Sequence, residues 1–127
     1  MTDTLLHVTR IPAADPVSGP PAVLLHGFAS AGTADWPVDA LPADLAEAGR
    51  DVLVVDLPGH GAASAVAAPL PVSAVLALLV DLVGDAEVDL VGYSLGARLA
   101  WDLAARARRR GRRGPRPAAR RANSRRG

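Results

Sequence analysis

VDLVGYSLGARLA, residues 88–100, decides the fold of this chain. Its first half is short and mostly apolar, which predicts a buried strand over Val88–Tyr93. Its second half has helical spacing, which predicts a helix from Leu95 to about Ala105. Gly92 and Gly96 stand on either side of Ser94, so small residues occupy the junction where a strand would turn abruptly into a helix.

The junction fits the Gly-x-Ser-x-Gly pattern of a nucleophile elbow. Such a turn holds its central residue in a strained conformation and raises its side chain above the edge of the sheet. The hydroxyl of Ser94 would then lie over the positive end of the following helix, where developing negative charge is stabilised. Ser94 is therefore the candidate catalytic nucleophile; as the alternative interpretation, it is an ordinary helix cap.

The preceding sequence alternates between predicted strands and helices. Short apolar runs predict strands at Leu5–Val8, Ala22–Leu25 and Asp51–Leu57, and Pro and Gly boundaries predict helices at Pro42–Ala48 and Pro71–Val83. Such alternation favours parallel pairing through helical crossovers. The fold class is therefore α/β, with ligands expected at the carboxyl ends of the strands, where His26, Gly59 and Ser94 all fall.

Charge divides the chain into two segments. Only three of the 14 basic residues, but all 13 acidic residues, precede residue 106, so residues 1–105 carry a formal charge of −10 and residues 106–127 carry +11. The basic segment lacks large apolar residues and periodicity, which predicts disorder. We therefore expect a domain over 1–105 and an Arg-rich tail over 106–127. We interpret the tail as sequence translated from a non-native reading frame.

Composition limits the remaining classes. The 127 residues suffice for one domain, and the absence of cysteine excludes disulfides and thiolate metal sites. The N-terminus does not resemble a signal peptide, and the longest apolar run, Leu70–Val83, contains Asp81 and is too short for a bilayer. We expect a cytoplasmic protein that binds no membrane, metal or cofactor; its oligomeric state is not indicated.

Three motifs together resemble the α/β-hydrolase family: LHGF at 25–28, DLPGHG at 56–61 and GYSLG at 92–96. The resemblance covers about residues 20–105 and implies the N-terminal part of an α/β-hydrolase domain, truncated after the elbow helix. It implies an oxyanion hole formed by the backbone N–H groups of Phe28 and Leu95. His26 would belong to the oxyanion loop.

A narrower resemblance, through Trp36 and GYSLGARLA at 92–100, is to the 2-succinyl-6-hydroxy-2,4-cyclohexadiene-1-carboxylate synthases of menaquinone biosynthesis, lyases that eliminate pyruvate. Arg98 lies one helical turn after Ser94 and could pair with a substrate carboxylate. Tyr93, Trp36 and His26 would complete the substrate-binding set. The partner would be a small molecule bearing a carboxylate or an ester.

One feature departs from the family. The acid and the histidine of the triad follow the serine in this fold, but no histidine follows Ser94, and Asp102 is the only later acid. A serine without its base loses most of its nucleophilicity, so we expect little activity from this chain. Two alternatives stay open: a general ester or amide hydrolase of the same fold, and a non-catalytic protein whose basic tail binds nucleic acid. Nucleic-acid binding is disfavoured because the tail has no aromatic residue for base stacking.

Overall fold

The core of the chain is a mixed sheet. The structure, a computed structural model, describes residues 5–63, 70–109 and 116–117. The sheet contains β1 (His7–Ile11), β2 (Ala22–Leu25), β3 (Val52–Asp56), β4 (Asp89–Gly92) and β5 (Arg116–Pro117). These strands lie in the order β1-β3-β2-β4-β5, with β3, β2, β4 and β5 parallel and β1 antiparallel to β3. The predicted α/β class is confirmed.

The first strand differs most from its prediction. It runs from His7 to Ile11 rather than from Leu5 to Val8, and it pairs with β3 in the antiparallel direction. His7 and Arg10 are exposed and the other three residues are half-buried, so no residue of β1 is fully buried, as is typical of an edge strand. Because an edge strand pairs on one side only, it can run against an otherwise parallel sheet.

Four α-helices cover the sheet within the described residues: α1 (Gly32–Asp35), α2 (Leu41–Glu47), α3 (Val72–Val83) and α4 (Leu95–Arg109). Pro42 lies in the first turn of α2 and Gly84 follows α3 with a φ of 61°, as the boundary signals predicted. The single turn of α1 lies in a segment for which no helix was predicted. Helix α4 continues to Arg109, beyond the predicted end at Ala105.

Each face of the sheet buries its own apolar cluster, because alternate residues of a strand point to opposite faces. One cluster joins Val23 and Leu25 of β2 to Leu79 of α3 and Leu99 of α4. The other is centred on Leu24 and is covered by α2. Because helices cover both faces of the sheet, the loops lie at the two ends of its strands.

The amino ends of the three central strands are tied together by Arg50. Its guanidinium Nη2 donates to Asp89 Oδ2 at 2.5 Å, and its Nε donates to the carbonyl of Pro20. Arg50 precedes β3, Asp89 begins β4 and Pro20 precedes β2. This partly buried ion pair fixes the edge opposite to the one where Ser94 lies.

The predicted tail falls mostly outside the described residues. Within them, α4 crosses the predicted domain boundary at residue 105, and β5 adds a parallel pairing to Asp89 and Leu90 of β4, where no strand was predicted. The boundary, the disorder and the nucleic-acid alternative stay predictions. None of the helices among the described residues is long and apolar enough to cross a membrane.

Candidate active site

Ser94 occupies a strained turn between β4 and α4. Its φ is 57°, in the left-handed region that side chains other than glycine rarely adopt. A methyl group added at Gly92 would lie 2.4 Å from the carbonyl of Gly96, and one added at Gly96 would lie 2.2 Å from the carbonyl oxygen of Leu25. Backbone atoms cannot yield to such contacts, so both positions require glycine.

The loop after β2 packs directly against this turn. A methyl group at Gly27 would lie 3.4 Å from Ser94 Cβ and 3.2 Å from Cδ2 of Tyr93. The Tyr93 N–H donates to the carbonyl of Leu25 at 3.2 Å, which fixes the end of β2 to the turn. The loop beginning at His26 is thereby held beside Ser94.

Two backbone N–H groups beside Ser94 have no acceptor among the described residues. The Gly27 N–H donates to Asp35 Oδ2 at 2.7 Å and is therefore occupied. Within the described part of the chain, no acceptor contacts the N–H of Phe28 or of Leu95. These are the two donors expected for an oxyanion hole, and the engagement of Gly27 by Asp35 leaves Phe28 as the available donor of its loop.

His26 braces the site rather than lining it. Its side chain is fully buried; Nδ1 donates to the Gly27 carbonyl at 2.7 Å, and Nε2 accepts from the Leu57 N–H at 3.0 Å. These partners assign the neutral tautomer protonated at Nδ1. Burial lowers the pKa of His26 below its ordinary value. With both nitrogens engaged, His26 holds two loops together, whereas the sequence predicted contact with substrate.

His60 has a similar arrangement. Its Nδ1 donates to the Pro58 carbonyl at 3.0 Å, and its Nε2 accepts from the N–H of Ala29 at 3.1 Å. The ring lies 5.0 Å from that of His26. Ala29, whose φ is 59°, is thus held in a strained position directly after Phe28. Neither histidine has a ring nitrogen free to take a proton from Ser94.

The sequence interpretation missed Asp56 and Asp35 as organisers of these loops. Asp56 Oδ1 accepts from the Gly32 N–H at 2.6 Å, and Oδ2 accepts from the Ala62 N–H at 3.2 Å. Its Oδ2 also lies 3.3 Å from Nδ1 of His7. The motif DLPGHG contained the signal for Asp56, because a carboxylate directly after a buried strand is placed to collect loop N–H groups.

Arg98 lies on the exposed surface of α4. Its side chain is 72% exposed, and its Nε lies 3.6 Å from Asp102 Oδ2, one turn further along. This is a loose, solvated ion pair. The structure therefore places Arg98 one turn from Ser94 in sequence, as predicted, with its guanidinium next to Asp102.

The two remaining predicted substrate residues differ in exposure. Tyr93 is half exposed beside Ser94. The indole N–H of Trp36 donates to the Leu25 carbonyl at 3.1 Å, and Trp36 packs against the apolar cluster around Leu24. Trp36 therefore supports the end of β2, whereas Tyr93 is accessible to a ligand.

An apolar pocket of about 170 Å³ opens next to the turn. Phe28 and Leu95, whose N–H groups have no acceptor in the described part of the chain, both contribute to its wall. The lining residues, called the apolar pocket below, are Phe28, Leu57, Pro58, His60, Leu70, Val72, Val75, Leu95 and Leu99. Among the described residues, no group of three histidine or acidic side chains is arranged to hold a metal ion.

Comparison with known proteins gives a consistent family. The family model described as alpha/beta hydrolase fold matches residues 20–113. The search of curated proteins gave no significant match. Solved structures similar to the chain include the type II thioesterase BorB from the borrelidin biosynthetic cluster, at 28% identity and a TM-score of 0.65, over 86% of this chain and 43% of that one.

Two further structures extend the comparison. MenH from S. aureus is 26% identical with a TM-score of 0.63, over 77% of this chain and 36% of that one. An alpha/beta superfamily hydrolase from Oenococcus oeni PSU-1, at 23% identity and a TM-score of 0.64, shares the fold over 84% of this chain and 38% of its own. The chain thus spans less than half the length of these structures.

Proposed function

The chain belongs to the alpha/beta hydrolase fold family, and from this premise we propose that Ser94 acts on the carbonyl group of a small-molecule substrate. One observation carries the proposal. Ser94 is held at a φ of 57° between a central strand and a helix, beside a loop that leaves one N–H unpaired. Strain of this kind, about 1–2 kcal/mol, is retained where function needs the side chain presented.

The chemistry proposed for the site is stabilisation of a negatively charged oxygen. As the Ser94 oxygen bonds to the carbonyl carbon, the carbonyl electron pair moves to oxygen, and the N–H groups of Phe28 and Leu95 donate to it. Collapse of this intermediate breaks the bond to the leaving group. Removing one such donor from an enzyme typically costs about 10²–10³ in kcat.

Removal of the hydroxyl proton of Ser94 limits the rate of the proposed reaction in this chain. The sequence has three histidines, His7, His26 and His60, and each is bonded elsewhere in the structure. We propose that the proton passes to water, so acylation is slow and turnover is slower. Because the chain spans less than half of the similar structures, this statement concerns the chain alone.

The first candidate substrate bears a carboxylate, as for the pyruvate-eliminating synthases that the sequence resembles. Arg98 supports it: the guanidinium is mostly solvated and only loosely paired with Asp102 at 3.6 Å. Such a pair costs little to break, so Arg98 is available for bidentate binding of a carboxylate.

The second candidate is hydrolysis of an ester or thioester. The apolar pocket beside Phe28 and Leu95 favours it, since it would suit an acyl group. The similarity to BorB, a thioesterase, is compatible with this chemistry.

Labelling with a fluorophosphonate tests the common core of both candidates. We expect slow, single-site modification at Ser94, mapped by mass spectrometry, and none in Ser94→Ala. Ser73→Ala, which removes an exposed serine from α3, is the matched control and should label like the wild type. Equal labelling of wild type and Ser94→Ala would overturn the proposal.

A further inference from the structure

We propose that the apolar pocket binds an uncharged group of about six carbon atoms attached directly to the substrate carbonyl. This inference rests on the proposed function, because it locates the substrate relative to Ser94. It goes further by specifying the arm of the substrate next to the reacting carbon.

The apolar pocket lies next to the two candidate oxyanion donors. Phe28 and Leu95 line it, and the same two residues carry the unpaired N–H groups beside Ser94. A carbonyl oxygen that reaches both N–H groups therefore brings its adjoining carbon atoms to the mouth of the pocket. Of the two groups bonded to the carbonyl carbon, the acyl chain is the one that we place in the pocket, with the leaving group outside it.

The lining excludes a charge on that group. Among the described residues that line the pocket there is no arginine, lysine, aspartate or glutamate, and His60 is their one polar side chain. Both ring nitrogens of His60 are already hydrogen-bonded, to Pro58 and to Ala29. A carboxylate in this pocket would lose water without gaining a partner, which is strongly unfavourable.

The volume sets the size of the group. An apolar cavity of about 150 Å³ holds one benzene ring. The apolar pocket, at about 170 Å³, therefore suits a phenyl ring or a chain of about six carbons. A substrate carboxylate would have to lie on the opposite arm of the substrate, away from Phe28 and Leu95.

The test uses a series of p-nitrophenyl esters on the full chain. The rate of Ser94 acylation, followed by intact mass and nitrophenolate release, should rise about tenfold or more from acetate to hexanoate because methylene groups enter the pocket. It should not rise further at dodecanoate. The mono-ester of adipate, which matches hexanoate in length but ends in a carboxylate, should react no faster than acetate.

A variant that fills the pocket is compared with a matched variant outside it. Val75→Phe on α3 places a ring in the pocket and should abolish the hexanoate preference, so that hexanoate reacts no faster than acetate in this variant. Val38→Phe, at an exposed valine outside the pocket, should retain the preference. Circular dichroism and urea unfolding establish that both variants fold; if Val75→Phe does not, Val72→Phe replaces it.

Binding of hexanamide, an unreactive probe, separates the two proposals. Methyl resonances of Val75 and Leu95 should shift on titration with hexanamide, and this does not depend on the chemistry of Ser94. Acylation of Ser94 without chain-length preference, and without these shifts, would overturn the pocket alone. Shifts without any acylation of Ser94 would overturn the proposed function and leave the pocket as a binding site.

Discussion

Nε2 of His26 accepts a hydrogen bond from the Leu57 N–H at 3.0 Å, which ties the loop after β2 to the loop after β3. The other ring nitrogen holds the Gly27 carbonyl. The two loops that border Ser94 are therefore joined through one buried imidazole. Its contribution is to shape, since neither nitrogen is left for proton transfer.

His26→Ala should destabilise the fold. The substitution leaves the buried Leu57 N–H without its acceptor, which costs about 1–3 kcal/mol in the free energy of unfolding. His7→Ala is the control, because the His7 side chain is 49% exposed and contacts Asp56 at 3.3 Å. Urea unfolding should show a change of about 0.5 kcal/mol or less for the control. Equal losses would contradict the bracing role of His26.

Acid should weaken the fold through the same residue. Burial lowers the pKa of His26 below its ordinary value of 6.5, so the unfolded chain binds the proton more readily than the folded one. The stability is fully present above about pH 6.5 and decreases as the pH falls through the range between the two pKa values. Urea midpoints measured at about pH 7.5 and pH 5.5 should differ more for wild type than for His26→Ala. An identical pH dependence would assign the effect to other groups.

Gly96→Ala should prevent stable folding. The added methyl group would lie 2.2 Å from the Leu25 carbonyl oxygen and 2.8 Å from that of His26, and both are backbone atoms. Gly84→Ala is the control, because its position has positive φ but open space around it; it should cost about 1–2 kcal/mol. Thermal unfolding by circular dichroism compares them. A folded Gly96→Ala with a loss no larger than that of Gly84→Ala would show that the turn is looser than described.

Strain at Ser94 predicts which of two variants without the hydroxyl is the more stable. Ser94→Gly relieves the positive φ, whereas Ser94→Ala retains it. Ser94→Gly should therefore be the more stable, by about 0.5–1 kcal/mol after allowance for the entropy of glycine in the unfolded chain. Urea unfolding measures the difference. A more stable Ser94→Ala would remove the evidence for a strained turn.

Arg98 separates the two candidate chemistries. Arg98→Ala should change stability by less than about 0.5 kcal/mol, because its ion pair is exposed. If the substrate carries a carboxylate, the same variant should weaken its binding about 10–100-fold, whereas Asp102→Asn should strengthen binding by freeing the guanidinium. Calorimetric titration with a succinyl-bearing dicarboxylate checks this. Unchanged affinity in both variants would favour the ester or thioester hydrolase.

The sequence predicted the elements that local signals define. Apolar runs located β2, β3 and β4, and Pro and Gly boundaries located α2 and α3, because these signals act within a few residues. The direction of β1 was not predictable in this way. The direction of an edge strand depends on the path of the chain between elements. Residues within the strand do not indicate that direction.

The candidate site, like the fold, was predictable only where its signals lie close together in the sequence. The elbow at Ser94 follows from the spacing of Gly92 and Gly96, which is local. The binding of the Gly27 N–H by Asp35 and the engagement of His26 by Leu57 depend on residues that meet only after the sheet has assembled. His26 was therefore predicted to bind substrate, although both of its ring nitrogens are hydrogen-bonded to backbone groups.

The central claim is that the N–H groups of Phe28 and Leu95 together receive a negatively charged oxygen at Ser94. Amide resonances of the chain, compared before and after phosphonylation of Ser94, test it most directly. We expect the Phe28 and Leu95 amide protons to move downfield together, while that of Gly27, already bonded to Asp35 at 2.7 Å, stays in place. A phosphonylated chain in which neither the Phe28 nor the Leu95 proton moves would contradict the account.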